Sequence, residues 1–322
     1  MLSVSPLYWD PDGDPANNVL ETGAGLGGSG NWNNGSPLWY DPLSGSHVAW
    51  DNGAHNRAVF SGSSGNVSVA AGISADSLAF TSNGYALAGG SLQLSGASSG
   101  ASSIDVAASL TSTITTQLVG TVDLTKTGAG TLTLAGANTY TGGTTIKAGT
   151  LRLTHTSGAG SGAVQIGDAT LSLFRGGSTT TYPNAITSLA GTAGTLLVDG
   201  SGSNAGTGTN STYATGPITV DGSLTVSRPS GGNRSCFRER RGSRRAGAST
   251  IPRAPRDATF RRGGHHAIAH AVGVGAERAD VSFLPARGIG AYGDCGENGR
   301  ICTAAASTAS TDRRARGSHH ED

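Results

Sequence analysis

One stretch, LTKTGAGTLTLAGANTYTGGTTIKAGTLRL from Leu124 to Leu153, constrains the fold more than any other part of the chain. Within it, Gly130-Thr-Leu-Thr-Leu134 is answered by Gly149-Thr-Leu-Arg-Leu153. Leucines therefore alternate with polar residues at the period of a half-buried strand. The same pattern recurs at Gly90-Ser-Leu-Gln-Leu94, Gly120-Thr-Val-Asp-Leu124, Ala169-Thr-Leu-Ser-Leu173, Gly194-Thr-Leu-Leu-Val198 and Gly222-Ser-Leu-Thr-Val226. Starts at 90, 130, 149, 169, 194 and 222 are separated by 40, 19, 20, 25 and 28 residues, which gives a unit of roughly 20 to 28 residues with one copy hidden in the first gap. The start at Gly120 falls off this spacing and reads as a second face of the same rung. A sandwich would give turn signals every 8 to 12 residues or so without this longer echo, so the period predicts one coil of a parallel β-helix.

That fold explains the composition. Inward side chains of each coil stack on their equivalents about 4.8 Å away, so Leu132, Leu134, Leu151, Leu153, Leu171 and Leu173 are expected to form aliphatic ladders, with Leu197 breaking the alternation. Thr131, Thr133, Arg152 and Ser172 then face water, where threonine suits the pleat. The joints Thr127-Gly-Ala-Gly130 and Tyr140-Thr-Gly-Gly143 are expected to supply positive φ at sharp corners, so the 52 glycines need not mean disorder.

Leu124–Leu153 resembles the autotransporter-associated β-strand repeat, also called the passenger-associated transport repeat, of bacterial surface proteins. The residues that carry the resemblance are Leu124, Gly128, Gly130, Leu132, Leu134, Gly136, Tyr140, Gly142, Gly143, Ile146, Gly149, Leu151 and Leu153. Weaker agreement in texture extends from Tyr8 to Val226. The resemblance implies an exported protein with a right-handed β-helical stalk, often ending in an outer-membrane β-barrel translocator, which this chain does not show. It implies no cofactor and no catalytic residues, because the repeat is a structural and secretion-related element. A surface glycan or envelope component is the partner such a stalk would meet.

Three segments are expected: a tryptophan-rich cap over 1–59, β-helix repeats over 60–227 forming about eight rungs and a rod on the order of 40 Å, and an arginine-rich tail over 228–322. Trp9, Trp32, Trp39 and Trp50 lie among Asn-Gly, Asp-Gly and Pro turn signals, and burial over the open end of the solenoid is their plainer reading. The sharper reading is a platform on which sugar rings stack. Asp10, Asp12 and Asp14 suggest a calcium loop, but the sixth and twelfth positions hold Pro15 and Glu21 where the helical calcium loop wants Gly and Glu, so an ordinary Asp/Pro/Gly turn competes. The opening Met-Leu-Ser-Val-Ser-Pro carries no secretory signal, and nothing later is apolar enough to span a bilayer. For an exported family, the expectation is that the signal lies upstream of Met1; a cytoplasmic protein is the alternative.

Charge divides the chain near Ser227. Residues 1–227 hold 5 Lys+Arg against 12 Asp+Glu, a balance of −7, whereas 228–322 hold 17 arginines against 9 acids, a balance of +8. Cys236, Cys295 and Cys302 all follow the division. Arg238 to Arg245 and Arg253 to Arg262 permit a nucleic-acid patch electrostatically but lack aromatic interleaving, so no nucleic-acid partner is expected. His265, His266 and His270 with Cys295 and Cys302 match no common zinc spacing. The favoured expectation is that the tail is translated out of frame and too poor in large apolar residues to order itself.

A catalytic β-helix, a polysaccharide lyase or hydrolase, is the alternative function. It needs two carboxyl groups roughly 5 to 9.5 Å apart. Asp51, Asp76, Asp105, Asp123, Asp168, Asp199 and Asp221 stand alone in sequence, although Asp199 and Asp221, 22 residues apart, could meet on adjacent rungs. Only His47, His55 and His155 could serve as bases near pH 7 in this region. A non-enzymatic stalk, without catalytic, cofactor or metal residues, is the primary expectation.

Overall fold

The computed structural model describes residues 6–96, 100–174, 180–199 and 211–227, together with the strand segments Ser235–Glu239, Phe260–Gly263, His266–Val272, Ala279–Asp280 and Ile301–Cys302. It is a parallel β-solenoid, and apart from one short 3-10 turn at Pro15–Asn17 every regular element described is a strand.

Two long sheets run the length of the solenoid. The first stacks Pro6–Trp9, Arg57–Phe60, Ser77–Phe80, Ala101–Val106, Asp123–Thr127, Thr144–Ile146, Val164–Ile166, Ile186–Ser188 and Ile218–Val220 in parallel. The second stacks Gly30–Trp32, Asn66–Val69, Ala86–Gly89, Thr111–Ile114, Thr131–Leu134, Thr150–Leu153, Thr170–Phe174, Ala193–Asp199 and Ser223–Ser227. The chain visits them alternately, so each coil lays one strand on each sheet. A third sheet closes only some coils, through Ile73–Ala75, Ser91–Leu94 and Gln117–Val119, and again through Thr180–Tyr182 and Ser211–Thr215.

The registers form the aliphatic ladders expected from the leucine pattern. Leu132 pairs with Leu151, Leu151 with Leu171 and Leu171 with Leu196; Ile114, Leu134, Leu153 and Leu173 form the parallel column. All eight side chains are buried, each contributing roughly 1.5 to 3 kcal/mol relative to exposure. Flanking the Leu132 column runs an outward one of Thr111, Thr131, Thr150, Thr170, Thr195 and Thr225. Leu196 takes the inward place in its strand, which leaves Leu197 in register with Ser172; contrary to expectation Ser172 does not face water but is buried.

Two details of the repeat count differ from the sequence reading. The hidden copy is Thr111–Ile114, which reads Thr-Ser-Thr-Ile and so escapes a search for Gly-Thr-Leu. The copy at Gly90 belongs elsewhere: Ser91–Leu94 lies in the third sheet, and the long-sheet strand of its coil is Ala86–Gly89. A pattern of alternation cannot tell two half-buried faces of one coil apart.

At the front end, Trp39–Asp41 and Ser46–Val48 form an antiparallel hairpin on the edge of Pro6–Trp9. Trp9, Trp32, Trp39 and Trp50 are all buried beneath it, with ring centroids 4.7 to 5.1 Å apart for the pairs Trp39–Trp50, Trp32–Trp50, Trp32–Trp39 and Trp9–Trp39. Phe60 continues the plug and stacks on Phe80 of the next coil at 5.0 Å. No tryptophan is more than 1% exposed, so none offers a face to a sugar and the platform reading is overturned. The rings cover apolar ladder ends that would otherwise meet water.

Beyond Ser227, the described strand segments continue the ends of the sheets, with His266–Val272 antiparallel to Ser223–Ser227. The rest of 228–322, and with it the out-of-frame reading and the two arginine clusters apart from strand placements, lies outside the described residues.

Candidate functional site: the stacking rung

The repeat Leu124–Leu153 folds as one full coil and the start of the next. Asp123–Thr127 lies on the first sheet, a glycine corner leads to Thr131–Leu134 on the second, and Thr144–Ile146 and Thr150–Leu153 repeat the path one rung on. Leu124, Leu132, Leu134, Tyr140, Ile146, Leu151 and Leu153 point inward and are buried.

Its glycines serve two different needs. Gly128 and Gly149 have φ of +70° and +66°, the left-handed corner that side-chain-bearing residues avoid. Gly130, Gly136 and Gly142 do not have positive φ; they are small because the backbone of the rung below passes too close, the carbonyls of Ala107, Thr116 and Val122 occupying the space a Cβ would need. Gly143 requires neither and has room for a methyl group. The Tyr140–Gly143 joint therefore differs from expectation: it is set by close approach of coils, not by positive φ.

Three polar residues of this rung were not singled out in the sequence. Asn138 is buried, accepts the Leu118 N–H at 2.8 Å from the coil below and donates from Nδ2 to Gly158 O at 2.7 Å in the coil above. It stands where the third sheet has lapsed, so its amide replaces missing strand bonds on both sides. Asn184 does similar work later, donating to Gly160 O at 3.1 Å and Gly162 O at 2.8 Å. Thr144 lies 2.7 Å from the Tyr140 hydroxyl, whose pKa burial pushes up. Lys126 occupies an inward position on Asp123–Thr127 and is fully buried. The available signal was parity, since Lys126 alternates with Leu124, and the polar Asn138 two residues before an inward Tyr140.

Four of the isolated carboxylates bind turns or the neighbouring coil. Asp123 Oδ1 accepts Gly143 N–H at 2.7 Å and Asp168 Oδ1 accepts Ala193 N–H at 2.8 Å, each bracketing the next coil. Asn52 and Asn83 do the same for Ser74 and Thr111. Asp105 Oδ2 accepts from Thr127 Oγ1 at 2.8 Å, and Asp51 Oδ1 from Gly53 N–H at 2.8 Å. Ser102 Oγ donates to the Asp76 backbone carbonyl. Asp199 and Asp221 are not brought together: Asp221 precedes Ser223, which pairs with Ala193, whereas Asp199 ends that same seven-residue strand. At about 3.3 Å per residue they sit roughly 20 Å apart along it.

In the front loop the acidic residues hold the chain's own donors. Asp12 accepts from Asp14 N–H at 2.8 Å and Asn17 Nδ2 at 3.0 Å, the first of which chiefly pulls its pKa down. Asp14 caps the 3-10 turn by accepting Ala16 N–H at 3.0 Å. Asp10 is buried, accepts Asn18 Nδ2 at 2.6 Å and lies 2.7 Å from His47 Nε2; burial raises its pKa, and those two bonds oppose the rise. Asp12 and Asp14 thus bind local turn N–H groups, whereas Asp10 joins the front loop to the Ser46–Val48 strand. Among the described residues no group of three or more His, Cys, Asp and Glu is placed to hold a metal ion. His265 and Cys295 of the zinc reading lie outside the described residues, and of His266, His270 and Cys302 only strand placement is described. Among the described residues no helix is long and apolar enough to cross a membrane.

Comparison with known proteins agrees with this geometry. The passenger-associated-transport-repeat family matches residues 124–153. An adhesin of Brucella suis biovar 1 (strain 1330), the BmaC autotransporter, is 34% identical over 230 residues, which span 70% of this chain and 6% of the adhesin. No solved structure matches. A solenoid that bears that family's repeat and matches an autotransporter adhesin over 70% of its length is an autotransporter passenger repeat protein.

Proposed function

We propose that the chain is a non-enzymatic structural segment of a bacterial passenger, displayed at the outer-membrane surface, whose outward faces contact a glycan or another envelope component. The observation that carries this reading is the use of the repeat itself: its inward leucines form ladders and its polar residues bind the coils above and below. Similarity to an autotransporter adhesin supports an adhesive role, and the family supports a β-barrel translocator elsewhere in the complete protein. The aromatic cap over the first coil is, in this reading, an end closure.

Glycan-array binding combined with a reducing-sugar assay tests the proposal. Binding to one or more glycans without sugar release is the expected result. Sugar release by the purified chain would replace the stalk by a carbohydrate-active β-helix.

A further inference from the structure

Lys126 is a fully buried cation in an aliphatic column. Its neighbours in register are Ile104 on the coil below and Ile146 on the coil above, with Leu78 and Ile166 one step further out. An unpaired ammonium there would be costly. Among the described residues no carboxylate lies within ion-pairing distance of Nζ. Instead Nζ donates to three backbone carbonyls: Thr127 O at 2.7 Å, Gly128 O at 2.8 Å and Ala148 O at 3.2 Å.

Those carbonyls belong to two different coils. Thr127 and Gly128 form the corner where the chain leaves the first sheet, and Ala148 occupies the same corner one coil later. Both corners turn through a left-handed glycine, Gly128 and Gly149. Three donors meet three acceptors, which is the full donor capacity of an ammonium.

We propose that Lys126 is an ammonium staple that ties two successive coils together at one corner and thereby fixes their register. A slip of one residue would turn the side chain outward, and a slip of two would carry Nζ from the corner to the middle of a strand, where carbonyls are already used by the ladder. The ladders already forbid a slip of one, which would turn every leucine outward; the staple adds a penalty on a slip of two, which leucine ladders alone tolerate because leucine stacks on any leucine.

The charged groups around it are few. Asp105, on the strand packed below, favours the charged form but is itself held by Thr127 Oγ1. Lys147 follows the strand packed above and is exposed, and Asp123 on the same strand is exposed and engaged with Gly143. Burial is the larger influence and pulls the Lys126 pKa down to about 8.

The chain has two lysines, Lys126 and Lys147, so the experiment resolves cleanly. With lysine labelled at 13Cε, the intact protein should give two signals, of which the one retained when the exposed Lys147 is changed in Lys147→Arg belongs to Lys126 and titrates near pH 8. In Lys126→Met, amide exchange should accelerate at least tenfold at Gly130, Lys147 and Thr150, whose N–H bonds knit this corner to Val106, Lys126 and Gly130. Exchange at Thr81 and Ala86, in a distant coil, should be unchanged. A Lys126 signal that titrates like a free lysine side chain overturns the proposal, and that readout stands even where the variant fails to fold. Unchanged protection at the three corner amides in a folded Lys126→Met overturns it too.

Discussion

At the scale of single residues, the rung depends on side chains that bind backbone across coils. Asn138→Ala should leave a buried N–H and a buried carbonyl unpaired and cost about 2 to 4 kcal/mol in urea unfolding. Thr133→Ala on the outer side should change stability by no more than about 0.5 kcal/mol, so equal costs at the two positions would refute the assignment of roles. Lys126 adds a pH dependence whose direction is set by its lowered pKa. Below about pH 8 the folded state carries a buried charge that the unfolded chain solvates freely. Stability should therefore rise from about pH 8 toward the ordinary lysine value of 10.5, by up to about 3 kcal/mol, relative to Lys126→Met. A wild-type curve parallel to that of the variant would remove this linkage. The inward leucines were legible because apolar residues alternating with threonine have one plausible orientation. Lys126 and Asn138 were not, because a polar side chain at an inward position acquires its meaning from carbonyls and amides 20 or so residues away, on coils that only the fold brings near.

At the scale of elements, corners and caps carry what ladders do not. Gly128→Ala should destabilise strongly, since it forces a side chain into left-handed backbone and against the Val106 carbonyl, whereas Gly143→Ala has space and ordinary φ. Thermal unfolding of the two variants should separate them clearly. The cap behaves as a second core: Trp39 touches Trp9, Trp32, Trp50 and Phe60, and Trp39→Ala should cost about 3 to 5 kcal/mol and expose the first coil to proteolysis. The clustering of tryptophans among turn signals made their shared burial legible, but not that Trp9 and Trp32 stand on strands of the two long sheets. The third sheet was not announced, because Ser91-Leu-Gln-Leu94 has the same alternation as the long-sheet strands and only hydrogen-bond partners distinguish them.

At the scale of the whole molecule, stability comes from each coil burying its ladders against the next, so stiffness and length follow from the number of coils and not from one compact core. Such an object has a repetitive surface and turn carboxylates engaged in holding corners, which suits display better than chemistry. The chain spans 6% of the length of the adhesin it resembles. In-register stacking is the central claim, and disulfide trapping on the outward threonine column tests it most directly. With Cys236, Cys295 and Cys302 replaced by serine, Thr131→Cys paired with Thr150→Cys should oxidise readily, because adjacent coils hold these positions about 4.8 Å apart. Thr131→Cys paired with Thr170→Cys, two coils apart, should stay reduced. Oxidation of the second pair, or failure of the first, would contradict the stacked solenoid.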